Sequence, residues 1–126
     1  MARFSIDQSS RDRLAAMPGV TIIEHPSPHH PGDIALVTAG LRCCEVFADG
    51  ATFRAAYHLR YGEWLPLAEG VREDAAFAAV LAFLSLVATV PQHYAPAHDA
   101  TERRAAAEVL AAFSGVSVTF SRAAAA

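Results

Sequence analysis

The seven residues His25–Pro31, HPSPHHP, set three histidines among three prolines. Imidazoles at that density raise the question of zinc or nickel ligation, for which two rings must reach one ion. Helical zinc motifs place ligands one turn apart on one face, and zinc fingers add paired cysteines at fixed spacing. Neither spacing occurs here. His29 and His30 are adjacent and lie between Pro28 and Pro31, whose restricted backbones splay neighbouring rings apart. The stretch therefore reads as a stiff, solvent-exposed loop, and no metal or other cofactor is expected. A site assembled in space from His25, His58, His93 and His98 stays open as an alternative, which would make the chain a small ligand-binding or enzymatic domain.

Other chemistry is thinner. Cys43 and Cys44 are the only cysteines and are neighbours, so on a strand they point to opposite faces and share no metal. Cys44 falls on an apolar face, where its thiol would be inert. There is no G-x-S-x-G elbow and no phosphate-binding glycine loop. Glu63 and Glu69 flank Trp64, which reads as a polar loop around one anchored aromatic. No catalytic residue is assigned. The remaining constellation is a surface one: Arg60, Glu63, Trp64, His93 and Tyr94 are of the amphipathic kinds that concentrate at protein interfaces, and they form the expected partner-binding set.

These residues need elements to hold them. Ser5 or Asp7 offers an N-cap and Pro18-Gly19 a stop for a short first helix. Val20–Glu24 (VTIIE) and Ile34–Thr38 (IALVT) are β-type runs, with Gly40 permitting a bend or bulge after the second. In LRCCEVFADGATFRAAYHLRY, Asp49-Gly50 separates two alternating runs. A two-residue type I′ turn there pairs Glu45 with Arg54 and places Cys44, Val46, Phe53, Ala55, Tyr57, Leu59 and Tyr61 on one face. Thr52, His58 and Arg60 join Glu45 and Arg54 on the other. Gly62–Pro66 reads as a loop. Beyond Gly70, a helix over about 71–90 presents Phe77, Val80, Leu81, Leu84 and Val87 as one stripe and Phe83, Leu86 and Val90 as a second. Asp99 and Glu102 resemble a capping box for a third helix, which ends near Ser114-Gly115. Val116–Phe120 (VSVTF) alternates as a last strand, followed by a frayed alanine tail over 123–126.

Strands in a run followed by helices predict an α+β fold: an antiparallel sheet of about five strands packed on one face by two C-terminal helices, with a short N-terminal helix. The 126 residues suit one globular domain. At 53% hydrophobic and 18% charged the chain can fill a core. Its ten basic residues are all arginine and scattered, the net charge is −3 and the isoelectric point is about 6.0, so nucleic acid is not an expected partner. MARFSIDQSSRDRL has no apolar core of a secretory signal, and the apolar run over 75–90 is too short to span a bilayer. The expected setting is the cytoplasm with no membrane contact. Oligomeric state is not legible.

Two stretches carry a resemblance. IEHPSPHHPGDIALVTAGL, Ile23–Leu41, resembles the strand, proline-rich loop and LVT-x-G strand of bacterial suppressor-of-fused-like domains. VPQHYAPAH, Val90–His98, is similar to the Pro-His-Tyr-His loop that follows a helix in that family. The second half of the Asp49-Gly50 hairpin and the alanine-rich third helix have no counterpart there. The resemblance implies an α+β fold without enzymatic activity, acting through another protein as immunity proteins of toxin systems do. Sequence reasoning thus converges on a non-catalytic protein-binding domain, of immunity or adaptor type, that works through the exposed sheet face.

Overall fold

The structure, a computed structural model, describes residues 6–26, 32–59, 62–90 and 96–125, with side chains over 10–26, 32–59, 62–90 and 99–113. The element order is α1 (Ile6–Ala16), β1 (Val20–Glu24), β2 (Asp33–Ala39), β3 (Arg42–Asp49), β4 (Thr52–His58), β5 (Trp64–Val71), α2 (Glu73–Leu86) and α3 (Pro96–Ala125). The strands form one antiparallel meander in sequence order. The α+β architecture expected from the sequence is present, with a short helix before the sheet and two after it.

Two hairpin turns set the register. In both, two residues connect the strands: Ala39 pairs with Arg42 around Gly40-Leu41, and Asp49 with Thr52 around Gly50-Ala51. Gly40 and Gly50 have φ of 63° and 65°, while Leu41 and Ala51 do not enter positive φ. Glycine at the first central position alone is the type II′ pattern, whose twist matches that of the flanking strands. This corrects the type I′ assignment to Asp49-Gly50. The turn moves one residue along the chain, so Arg54 lies opposite Phe47 and Glu45 opposite Ala56. Each partner shifts by two residues, which is why the inward and outward faces survive the error.

The fifth strand is a second correction. It is Trp64–Val71, where a loop and a helix start were expected, and the segment 116–120 continues α3. WLPLAEGV hides its strand character because two bulges interrupt its pairing with β4. The bulges put consecutive residues Leu67 and Ala68 both inside and destroy the period of two. Pro66 is tolerated because β5 is an edge strand. Helix α2 consequently begins at Glu73 rather than near Val71, with Glu73 and Asp74 in its first turn, where acidic groups suit the positive end. VSVTF lies between alanine-rich stretches of high helix propensity, and these carry the helix through it.

The inner face of the sheet carries Ala35, Val37, Cys44, Val46, Ala55 and Tyr57, and α2 presses Ala76, Phe77, Val80, Phe83 and Leu84 onto it. Tyr57 and Phe83 meet ring to ring at 4.6 Å. Leu86, expected in a second buried stripe, is 49% exposed, because that side of α2 faces outward. Helix α3 packs on β5, and α1 on α2 and β1, with Leu14 fully buried and Arg11 paired to Glu24. Among the described residues no helix is long and apolar enough to cross a membrane.

Candidate functional site

Strand alternation and the two II′ turns bring a specific set of side chains to the sheet face away from α2. Along that face run Asp33 on β2, Cys43, Glu45 and Phe47 on β3, Arg54, Ala56 and His58 on β4, and Trp64 and Pro66 on β5. A shallow pocket of about 430 Å³ opens there, lined by Phe47, Trp64, the small residues Ala55, Ala56 and Pro66, and the charged groups Asp33, Glu45, Arg54 and Glu69. Alanines and a proline at its base leave the space that larger side chains would fill.

The aromatic part is a linked set. The Trp64 ring lies 3.6 Å from the His58 ring and meets Phe47 edge to face at 5.9 Å. Trp64 nevertheless keeps 46% of its surface exposed. Over Phe47 sits the Arg54 guanidinium, 4.5 Å from the ring centroid, a cation–π arrangement. Among the described residues its one carboxylate contact is Asp49 Oδ2 at 3.5 Å from Nε, too long for a hydrogen bond, and Nε has no hydrogen-bond partner there.

The acidic part is unusual in its burial. Glu45 is 6% exposed although it lies on the open face. Burial first, and then hydrogen bonding to Asp33 and that residue's charge, push its carboxyl up to about 7. In its protonated form Glu45 donates a hydrogen bond to Asp33. His58 Nε2 lies 3.3 Å from Glu45 Oε1. Desolvation lowers the His58 pKa below its ordinary value, so at neutral pH this contact joins a neutral imidazole to the acid pair. Among the described residues no three His, Cys, Asp or Glu side chains converge as metal ligands would.

The sequence-derived candidates distribute as follows. Trp64 lines the pocket and its ring meets that of His58 at 3.6 Å, tilted by 43°. Glu63 lies beside it but is tied to α3 by a two-pronged pair with Arg103, at 2.6 and 2.7 Å. Arg60, His93 and Tyr94 lie outside the described residues, as do His29, His30 and the side chain of His98. His25 is exposed and has a left-handed backbone (φ 50°) at the end of β1. By register His58 faces Cys43 at the start of β3, while the Glu24 end of β1 lines up with Val46. His25 and His58 therefore sit three strands apart and toward opposite ends of the sheet, and they are not brought together. Sequence reasoning missed Phe47 and Arg54 as site residues, and it gave Glu45 only a surface ion pair.

On the other face, Cys44 is buried and desolvation raises its thiol pKa well above normal; the thiol stays protonated. Nearby, Arg42 Nε donates to Glu102 at 2.7 Å and Arg42 Nη2 to the Val90 carbonyl at 3.0 Å. Burial, then the Glu102 charge and hydrogen bond, raise the Tyr57 pKa, so its hydroxyl donates to the same carboxylate. Glu102, expected to cap a helix, instead closes this buried cluster. No family model, curated protein or solved structure matches the chain.

Proposed function

We propose that the protein is a non-catalytic binding domain, of adaptor or immunity type, that engages another protein through the open face of its sheet. The observation that carries this reading is Trp64: a large aromatic, half exposed, fixed by His58 and Phe47 and ringed by charged groups on a face that no described element covers. Preordered aromatic anchors surrounded by polar groups concentrate binding energy. The suppressor-of-fused-like resemblance points the same way. The pocket's 430 Å³ favours a second reading, a small-molecule site, although carboxyl groups, Arg54 and aromatics line it and, among the described residues, no histidine does.

The test is capture of partners from the native host with wild-type protein, with Trp64→Ala and with Leu86→Ser, a control of similar exposure on α2. A partner whose binding weakens by about 2 kcal/mol or more in Trp64→Ala, and not in the control, is the expected result. Binding unchanged by Trp64→Ala overturns the reading. A small molecule copurifying in place of any protein establishes the second one.

A further inference from the structure

We infer that the pocket between Trp64, Phe47 and the Asp33–Glu45 pair receives a cationic side chain, the arginine or lysine of the partner protein, in competition with the protein's own Arg54. This inference rests on the binding role proposed above and names what the face binds.

Three features of the pocket agree on a cation. Its charged lining is three carboxyl groups, Asp33, Glu45 and Glu69, against one guanidinium, Arg54. Its walls are two aromatic rings, and a cation over an aromatic face is stabilised by the ring quadrupole, more so when desolvated. Finally, one cation already sits on that wall. Arg54 lies over Phe47, yet it is 42% exposed, its nearest carboxylate is 3.5 Å away and its Nε lacks an acceptor. It is held by stacking and little else, which leaves it displaceable. An incoming guanidinium or ammonium would take over the aromatic wall and pair with the acids, and Arg54 would swing to solvent.

Proton linkage follows from the same geometry. Among the described residues the titratable and charged groups on the Glu45 side of the sheet are Asp33 from β2, Cys43 beside it on β3, Arg54 and His58 from β4, and Glu69 at the pocket on β5. Cys43 stays neutral, since burial and Glu45 raise its thiol pKa, and His58 is neutral above its lowered pKa. The group that changes charge near pH 7 is Glu45. A cation stabilises its ionised form, so binding expels the Glu45 proton and strengthens as pH rises from 6 to 8.

The single tryptophan of the chain is Trp64, so intrinsic fluorescence reports directly on the pocket. The probes are acetyl-Gly-Arg-Gly-amide and acetyl-Gly-Glu-Gly-amide, titrated against the full chain at pH 6, 7 and 8. The arginine peptide is expected to perturb Trp64 with millimolar affinity, roughly fivefold tighter at pH 8 than at pH 6, and the glutamate peptide to leave it unchanged. Glu45→Gln should weaken the arginine peptide about fivefold at pH 8 and remove the pH dependence. Arg54→Met should do the reverse and tighten it about threefold, because the resident competitor is gone. A purely structural Arg54 would not produce that gain. His58→Asn should retain the pH dependence.

Equal response to both peptides, no response to either, or an arginine response indifferent to Glu45→Gln and Arg54→Met overturns the inference. These failures are separable from failure of the binding role. A captured partner that needs Trp64 but ignores Glu45→Gln and Arg54→Met leaves the face reading standing and removes the cation. An arginine peptide that binds while no partner depends on Trp64 overturns the partner assignment, and a free small-molecule cation then takes its place.

Discussion

The two faces of the sheet each bury charge, and they do it in opposite ways. On the helix side Arg42, Glu102, Tyr57 and the Val90 carbonyl form a closed set in which one cation meets one anion, both 4% exposed. On the open side Glu45 is almost as buried, but its ionisable neighbours are a second acid, Asp33, and the His58 imidazole, which its lowered pKa keeps neutral. The available cation, Arg54, stacks on Phe47 instead. A balanced cluster with its hydrogen bonds complete can be explained by the packing of α3 and the end of α2 onto β3. An unbalanced one near a pocket gains nothing structurally from its second carboxyl, and perturbed acids of this kind mark functional surface.

The largest effect should come from breaking the balanced cluster. Arg42→Ala leaves Glu102 buried without its cation and should cost about 3–5 kcal/mol in denaturant unfolding. Replacing both partners together, Arg42→Met with Glu102→Leu, should recover most of that loss, since the penalty comes from the uncompensated charge rather than from the missing attraction. A loss below about 1 kcal/mol for Arg42→Ala would mean that water enters the cluster, and the contrast between the faces would fail.

The open-face acid should give a smaller effect of the other sign. The folded protein holds the Glu45 proton with a pKa of about 7, against an ordinary 4.5. Stability from this group is therefore fully present below about pH 4.5 and is lost as pH rises through about 7. Glu45→Gln keeps a neutral, hydrogen-bonding side chain, so relative to wild type it should become more stable between pH 5 and 8, by roughly 1–2 kcal/mol after screening by pocket water. Because His58, with its lowered pKa, contributes the opposite slope in wild type and variant alike, the comparison must be made at each pH. Constant difference across that range would show that Glu45 titrates normally.

How much of this was legible follows from which signals were local. Val20–Glu24, the β2 core, the β3–β4 alternation and the apolar stripe of α2 all carry their period in contiguous residues, and the structure holds them. The inward and outward faces of β3 and β4 were correct even though the hairpin register was not, because a shift of two preserves facing. What failed needed a second strand to be seen. The bulges of β5 erase its alternation, and only pairing with β4 reveals it. The Asp33–Glu45 pair depends on the β2–β3 hairpin at Gly40-Leu41 and on the irregularity between Asp33 and Ala35. A glycine at the first position of a two-residue loop was the available sign, and Gly40 was read only as a bend. His58 and Trp64 could be placed on one surface from alternation and chain proximity, whereas Phe47 and Arg54 became neighbours only once the turn was fixed at Gly50-Ala51.

The smallest effect belongs to the exposed pair at the rim, Glu63 with Arg103. Its geometry is two-pronged, with two short hydrogen bonds, and Arg103 lowers the Glu63 pKa by hydrogen bonding and then by charge. Both groups are nevertheless fully exposed to water and salt, where such pairs contribute little to stability. The turn that carries Glu63 is closed by its backbone, since the Leu59 amide donates to the Glu63 carbonyl at 2.7 Å, and Trp64 beside it is fixed by the His58 ring. Neither restraint uses the carboxylate. Glu63→Ala should therefore leave the unfolding midpoint unchanged at physiological salt, while binding through the proposed interface should fall mainly through a slower, salt-sensitive association rate. A marked drop in stability would instead make the α3–β5 packing depend on this pair, and charge exposed at the rim would then rank with charge buried under α3.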